Sequence, residues 1–125
     1  MRAIVVDDSR AMRMILKRCL SAMGFECAEA ADGKEALQRL KEIEKPQLAL
    51  LDWNMPNMNG YELVCAIRQD HSFDDMKIIM VTTETEMERM TLALAAGANE
   101  YVMKPSTEEM IREKLALLGF EQAMA

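Results

Sequence analysis

The stretch LALLDWNMPNMNG, residues 48–60, has two very different halves. The first is a four-residue apolar run that stops abruptly at Asp52. The second is rich in asparagine and also holds a proline and a glycine, which are the residues that turns prefer. A short apolar run bounded by turn residues is typical of a strand that is buried on both faces. The stretch therefore predicts a central strand that delivers one carboxylate to the start of an irregular loop.

The same alternation of strand and helix occurs five times along the chain. Short apolar runs predict strands, and apolar residues spaced three to four positions apart predict helices. The strands are expected at 3–6, 26–30, 48–51, 78–81 and 101–103, and the helices at 10–23, 34–45, from 60 onward, 84–96 and from 106 onward. Pro46 and Gly97 should end two helices, and a Ser106–Glu109 capping box should open the last. This order predicts an α/β fold, a flavodoxin-like (βα)5 doubly wound parallel sheet with strand order 2-1-3-4-5.

Composition excludes several classes of protein. The 125 residues include 29% charged residues and carry a formal charge of −6, which argues against binding to nucleic acid. No apolar run is long enough for a membrane span, and no export signal opens the chain, so we expect a cytoplasmic protein with no membrane partner. The three cysteines form no C-x-x-C pair, which argues against a disulfide framework or a zinc site.

Polar residues follow the carboxyl ends of four predicted strands. Asp7 and Asp8 follow the first strand, Asp52 the third, Thr82 the fourth and Lys104 the fifth. In an open α/β sheet, ligands bind beyond the carboxyl ends of the strands, where the strand order reverses. In the order 2-1-3-4-5 that crevice lies between strands one and three, which carry the three aspartates. We therefore expect these side chains to meet at one edge of the sheet.

Three carboxylates in one crevice repel each other, so either one of them is protonated or a cation lies among them. Oxygen ligands of this kind suit a hard divalent ion such as Mg²⁺. A hard cation, a hydroxyl and an ammonium together match the needs of phosphoryl transfer, in which charge must be neutralised and oxygens held. An aspartate can itself be the nucleophile and form an acyl phosphate.

Four motifs carry a resemblance to a known family. They are VVDDSR, LLDWNMPNMNG, VTTE and YVMKP, in this order and at spacings that fit one domain. With them the chain resembles the bacterial response-regulator receiver domains, above all the CheY-like single-domain type. The resemblance implies that residues 1–125 are one receiver domain with no output domain. It also implies that Asp52 accepts a phosphoryl group from a histidine kinase or from a small acyl phosphate.

The resemblance further implies how Mg²⁺ is held. Asp8 would bind the ion directly, Asp7 would act mainly through water, and Asp52 and the backbone carbonyl of Asn54 would complete the protein ligands. In the family, the residues at the positions of Asn54 and Glu84 tune how readily water attacks the phosphoryl group. This Asn and Glu pairing resembles the members that lose the phosphoryl group fast.

The resemblance also implies a switch and an output face. Thr82 would bond the phosphoryl oxygens and Lys104 would pair with them, while Thr82 and Tyr101 would move together on activation. The fourth helix is apolar almost all round, and Met87, Met90 and Leu94 recur on it at helical spacing. We expect these three residues to contribute to a partner face made by helix 4, strand 5 and helix 5, where an output protein binds. The unphosphorylated protein is expected to be a monomer.

The leading interpretation is a phosphorylation-activated signalling switch of a two-component system, of the chemotaxis type. Such a protein is not a conventional enzyme, although it promotes its own phosphorylation and dephosphorylation. One alternative is a phosphorelay intermediate that carries phosphoryl groups between histidine proteins. Another is a Mg²⁺-dependent phosphatase with an aspartyl nucleophile, which would need an Asp-x-Asp pattern that VVDDSR lacks. A flavodoxin-like cofactor binder would need a Ser/Thr/Gly-rich loop after the first strand, and a degenerate receiver would lack part of the acid trio.

Overall fold

The computed structural model describes residues 1–83 and 87–120, with the backbone alone at Met87. Strands and helices alternate along these residues. The strands are β1 (Arg2–Val6), β2 (Glu26–Ala30), β3 (Leu48–Leu51), β4 (Lys77–Thr82) and β5 (Glu100–Met103). The helices are α1 (Arg10–Ala22), α2 (Gly33–Glu42), α3 (Gly60–Gln69), α4 (Met87–Ala96) and α5 (Glu108–Leu117). Among the described residues, no helix combines the length and the hydrophobicity that a membrane crossing requires.

The five strands form one parallel sheet in the order β2-β1-β3-β4-β5, which confirms the predicted α/β fold class and strand order. The register aligns the carboxyl ends of the central strands. Val6 of β1 lies beside Leu51 of β3, and Thr82 of β4 lies beside Met103 of β5. The loops that follow these residues therefore start next to each other at one edge of the sheet.

The sheet separates two hydrophobic cores because successive side chains of a strand point to opposite faces. Helices α1 and α5 cover one face, and α2, α3 and α4 cover the other. On the α1 side the strands contribute Ala3, Val5, Leu48, Leu50, Ile79, Val81 and Val102, and on the other side Ile4, Val6, Ala30, Ala49, Leu51, Ile78 and Met80. Burial on both faces explains why β3 is apolar at every position.

One predicted helix boundary, the end of α2, is wrong, and another cannot be compared with the structure. Helix α2 ends at Glu42 rather than at Lys45, because Ile43 is already extended (φ −106°, ψ 164°). The chain thus leaves the helix before it reaches Pro46, whose ring disfavours a helical residue directly in front of it. The predicted start of the fourth helix, Glu84, lies outside the described residues.

The cap of α5 also differs from the prediction. Thr107 is the N-cap, and its hydroxyl accepts a hydrogen bond of 3.2 Å from the backbone N–H of Met110. The predicted Ser106–Glu109 capping box is therefore wrong, since the helix begins one residue later. The Ser106 hydroxyl oxygen is buried and has no hydrogen-bond partner among the described residues.

Arg68 at the end of α3 bonds both the loop that follows its own helix and the segment between α4 and β5. Its guanidinium donates to the carbonyl oxygens of Phe73 (2.7 Å), Met76 (2.7 Å) and Gly97 (3.0 Å), and to the side-chain oxygen of Asn99 (3.1 Å). These contacts fix the end of α4 and the entry to β5 against α3. Burial lowers the pKa of this guanidinium, which nevertheless stays charged because an arginine titrates far above neutral pH.

Candidate functional site

The three predicted carboxylates meet at the carboxyl edge of the sheet. Asp7 follows β1 and Asp52 follows β3, and the backbone N–H of Asp52 donates to the carbonyl of Val6 at 2.9 Å. Carboxylate oxygens of Asp7, Asp8 and Asp52 all lie within 4.8 Å of one another. Asp7 is 1% exposed and Asp52 is 6% exposed, whereas Asp8 faces solvent. The cluster is therefore open on the side of Asp8 and closed behind.

Lys104 places a positive charge inside this cluster. Its backbone N–H donates to the carbonyl of Thr82 at 2.8 Å, which continues the pairing of β4 with β5 into the loop. Its ammonium lies 2.9 Å from an oxygen of Asp7 and 3.2 Å from an oxygen of Asp52. One lysine thus bridges the two buried acids, as expected if it offsets their mutual repulsion.

The electrostatics of the cluster raise the pKa of Asp52 to about 6, from an ordinary value of 3.8. Burial is the largest cause, the negative charge of Asp7 adds to it, and the ammonium of Lys104 opposes both. For Lys104, burial alone would lower the pKa, but the hydrogen bond to Asp7 and the charges of both carboxylates outweigh it and raise the pKa. The lysine therefore stays protonated beside the acids.

A tight loop after Asp52 closes the site and leads into α3. The backbone N–H of Gly60 donates to the carbonyl of Trp53 at 2.8 Å, and a Cβ at Gly60 would lie 2.3 Å from the carbonyl oxygen of Asp52. Only glycine permits so close an approach. Asn59 and Glu62 then form a capping box that starts the helix. Between these points lies Asn54, an exposed residue two positions after Asp52.

Thr82 and Tyr101 both line a small cavity, to which Trp53, the residue after Asp52, also contributes. Thr82 is 2% exposed, and Tyr101 is half-buried with the ammonium of Lys114 5.5 Å from its ring centroid. The cavity measures about 10 Å³, which is about the smallest space that holds one water molecule. Its lining includes Trp53, Met80, Thr82, Arg89, Met90 and Tyr101.

Residues predicted for the partner face have different surroundings. Met90 is only 8% exposed and lines the cavity beside Thr82, so in this structure it is a packing residue rather than a surface contact. Leu94 is 41% exposed and does reach the surface of α4. The side chain of Met87 lies outside the described part of the structure, as does Glu84.

Two contacts around the site had little or no signal in the sequence. The guanidinium of Arg89 lies 5.8 Å from the ring centroid of Trp53, whose other neighbour is the stacked ring of Tyr61 at 6.0 Å. The guanidinium of Arg13 donates to the carbonyl of Asp7 at 2.7 Å. Neither pairing follows a helical or strand spacing, so no periodicity in the sequence reveals it. The capping box at Asn59, in contrast, is visible as an N-x-x-E pattern.

The donor set fits a hard divalent cation. All three clustered side chains are carboxylates, and one of them is open to solvent, so that a bound ion could keep part of its water shell. Mg²⁺ prefers this combination of one or two carboxylates with retained waters. The two buried acids share a single ammonium, which leaves net negative charge in the cluster for a cation to neutralise.

The raised pKa of Asp52 predicts a pH-dependent stability in the absence of divalent ions. Because the folded protein holds this proton more tightly than the unfolded chain does, the free energy of unfolding should fall as pH rises from about 4 to about 6. Asp52→Asn removes this loss, so the variant should be more stable than the wild type at pH 7, by about 2–3 kcal/mol. The difference should shrink towards pH 4. Urea unfolding in EDTA across this range measures it.

Asp75→Asn is a suitable control for this prediction because Asp75 is an exposed aspartate remote from the cluster. It should follow the wild-type stability at every pH. Equal stability of Asp52→Asn and wild type at pH 7 would contradict the expected cost of the buried, charged Asp52 carboxylate.

Comparisons with known proteins agree with this geometry. Residues 3–116 match the family model described as the response regulator receiver domain. The chain is 43% identical over 119 residues to the chemotaxis protein CheY1 of Helicobacter pylori, with 94% of this chain and 96% of that protein covered. It is 45% identical over 116 residues to a chemotaxis protein CheY homolog of Campylobacter jejuni, covering 92% and 89%. The structure of chemotaxis protein CheY4 of Vibrio cholerae superimposes with a TM-score of 0.86 at 34% identity, covering 93% of this chain and 96% of that one.

Proposed function

The chain belongs to the response regulator receiver domain family, and we propose that it is a phosphorylation-activated signalling switch of a two-component system. The observation that carries the proposal is the convergence of Asp7, Asp8 and Asp52 with the ammonium of Lys104. A carboxylate at the end of a buried strand is a fixed nucleophile. The positive charge beside it is suited to stabilise the oxygens of a phosphoryl group.

In this proposal the carboxylate of Asp52 attacks the phosphorus of a phosphohistidine in a histidine kinase, or of a small acyl phosphate. A bond from the Asp52 oxygen to phosphorus forms, and the bond from phosphorus to the donor breaks. Asp7, Asp8, Asp52 and the backbone carbonyl of Asn54 are the residues that would hold Mg²⁺. When bound, the ion supplies charge neutralisation for the phosphoryl oxygens and the surrounding acids.

Lys104 and Thr82 are proposed to bind the phosphoryl oxygens. Thr82 and Tyr101 are proposed to change conformation when Asp52 is phosphorylated. The cavity that Thr82 and Tyr101 line has a volume of about 10 Å³, which is far too small for a phenol ring. An inward turn of Tyr101 would therefore have to be coupled to movement of other side chains. Tyr101 could turn inward only if lining side chains such as Met90 moved away. The burial of Met90 supports a role in this movement rather than on the partner face.

An output protein is proposed to bind the face formed by α4, β5 and α5. Exposed apolar side chains support this choice, since Leu94 of α4 is 41% exposed and Leu117 of α5 is 72% exposed. Leu94 was predicted as part of this face from its spacing. Lys114 and Glu100, joined by a 3.2 Å ion pair, add charge beside Tyr101.

Chemotaxis is the pathway we propose, because the chemotaxis proteins of Helicobacter and Campylobacter match this chain over most of their length. The second candidate is a phosphorelay intermediate, which differs by passing its phosphoryl group on to another histidine protein. A phosphatase with an aspartyl nucleophile would instead turn over many substrate molecules. We further propose a cytoplasmic protein that is monomeric when unphosphorylated and has neither nucleic acid nor membrane as a partner.

The proposed function is tested by incubating the purified protein with acetyl phosphate and Mg²⁺ and following its intact mass. We expect the addition of one phosphoryl group, together with a change in Trp53 fluorescence, and neither in EDTA. After the donor is removed, the adduct should decay within seconds to minutes, as the Asn54 and Glu84 pairing indicates. Absence of the adduct, or an equal amount of it in EDTA, would refute the proposal, and an adduct stable for hours would refute the expected lifetime.

A further inference from the structure

Arg13 occupies a position on α1 where a positive charge is unfavourable. It lies in the first turn of the helix, whose exposed N–H groups already carry partial positive charge, and this turn contains no acidic residue. Its side chain is only 14% exposed, so solvent offsets little of the cost. A specific set of partners must therefore hold the guanidinium in place.

The guanidinium joins the main chain at the acid cluster to the edge of the sheet. Its Nη1 donates to the carbonyl oxygen of Asp7 at 2.7 Å, and its Nε donates to a carboxylate oxygen of Glu29 at 2.8 Å. Asp7 directly follows the last residue of β1. A carbonyl at that point needs a partner from outside the strand ladder, and Arg13 supplies it.

Glu29 is a firm anchor for this arrangement. It lies in β2, opposite Val5 of the neighbouring strand, and also bonds the ammonium of Lys17. Hydrogen bonds from Lys17 and from Arg13 lower the pKa of Glu29, which keeps it ionised at neutral pH. Arg13 and Lys17 of α1 therefore bind the same carboxylate, and of these two it is Arg13 that also bonds the main chain at Asp7.

We propose that Arg13, anchored by Glu29, is a positioning residue that fixes the main chain at Asp7 and thereby the spacing of the acid pair Asp7–Asp8 around a divalent cation. The inference rests on the proposed function, because it presupposes that the cluster binds Mg²⁺. It adds a residue that touches neither the ion nor the phosphoryl group.

Positioning and simple electrostatics predict opposite changes in Mg²⁺ affinity when Arg13 is removed. Removing a nearby positive charge lessens repulsion of a cation, so electrostatics alone predicts that loss of Arg13 would strengthen Mg²⁺ binding. Loss of positioning predicts weaker binding, since partners that orient metal ligands typically contribute about 10- to 100-fold in affinity. The direction of the change therefore distinguishes the two effects.

The experiment measures Mg²⁺ affinity of the unphosphorylated protein by Trp53 fluorescence and by calorimetry. Arg13→Met should bind Mg²⁺ about tenfold more weakly than wild type. Lys17→Met is the matched control for the contact with Glu29, and Arg10→Met is the control for a charge lost from the same helical turn. Lys17→Met should bind like wild type, and Arg10→Met should bind equally well or more tightly. Arg13→Lys, which keeps a donor for the Asp7 carbonyl, should recover part of the affinity.

Thermal unfolding of each variant separates positioning from loss of structure. If Arg13→Met does not fold, Glu29→Ala serves instead, because it releases the anchor without changing α1, and it should also weaken Mg²⁺ binding. Unchanged or tighter binding by the folded Arg13 variant would overturn the proposal, as would equal weakening in Lys17→Met. A wild-type protein that binds no Mg²⁺ would refute the proposed function itself, and the positioning role with it.

Discussion

Asp52→Asn is expected to abolish the phosphoryl adduct that acetyl phosphate and Mg²⁺ produce on the wild-type protein. The amide has nearly the same shape as the carboxylate but is not a nucleophile towards phosphorus. Asp52 is 6% exposed and bonded to Lys104, so its oxygen is held at a fixed point facing the crevice. Intact mass after incubation measures the effect directly, and no adduct should be detectable.

Asp8→Asn is the informative companion to this variant. Asp8 is an exposed carboxylate of the same cluster and the other acid that a small phosphoryl donor could reach. If Asp52 is the acceptor, Asp8→Asn should still form the adduct, but more slowly because a proposed Mg²⁺ ligand is lost. If Asp52→Asn formed as much adduct as the wild type, or if the adduct disappeared only in Asp8→Asn, a residue other than Asp52 would be the acceptor. Urea unfolding of Asp52→Asn in the assay buffer shows whether a negative result is due to unfolding, and we expect a folded protein.

Arg68→Ala is expected to destabilise the protein by about 3 kcal/mol, the largest effect on stability that we predict for a charged residue. The change removes four hydrogen bonds at once and leaves the carbonyls of Met76 and Gly97 without the donor that Arg68 supplied, whereas the Phe73 carbonyl keeps its bond from the N–H of Met76. A buried acceptor that loses its partner costs about 1–3 kcal/mol, although water that enters the space recovers part of this. Urea unfolding at neutral pH gives the free energy directly.

Two further variants define what Arg68 contributes. Arg68→Lys keeps the charge but cannot reach several carbonyls at once, so we expect an intermediate loss of stability. Arg112→Ala removes an arginine of α5 that forms an exposed ion pair of 3.4 Å with Glu108, and such pairs contribute less than about 1 kcal/mol. If Arg68→Ala were as mild as Arg112→Ala, the guanidinium would not be what joins α4 and β5 to α3.

The sheet order and the acid cluster were predictable because they depend on local patterns. Each strand is a short apolar run, and parallel strands must bring their carboxyl ends to one edge. Once β1 and β3 are adjacent, the residues after Val6 and Leu51 must meet, and these are Asp7 and Asp52. The same reasoning places Lys104 beside Thr82.

Helix ends and side-chain partners were less predictable for physical reasons. Ser106 and Thr107 are both good caps, and the choice between them depends on where the chain leaves Pro105 and enters α5. The spacing of Met90 on an apolar helix did not show which face it occupies, and in the structure it is buried against the cavity that Thr82 also lines. Arg68 meets partners five to 31 positions away, and no sequence period describes that kind of contact.

The position of Lys104 has a consequence for how quickly the protein could respond. An ammonium has three N–H donors, and two of them already point to Asp7 and Asp52. If Asp52 becomes an acyl phosphate as proposed, the donor that now points to its carboxylate can turn to a phosphoryl oxygen while the bond to Asp7 persists. Lys104 would then exchange one acceptor for another while its nitrogen stays in place. Its long side chain would not need to change conformation before it bonds the phosphoryl group.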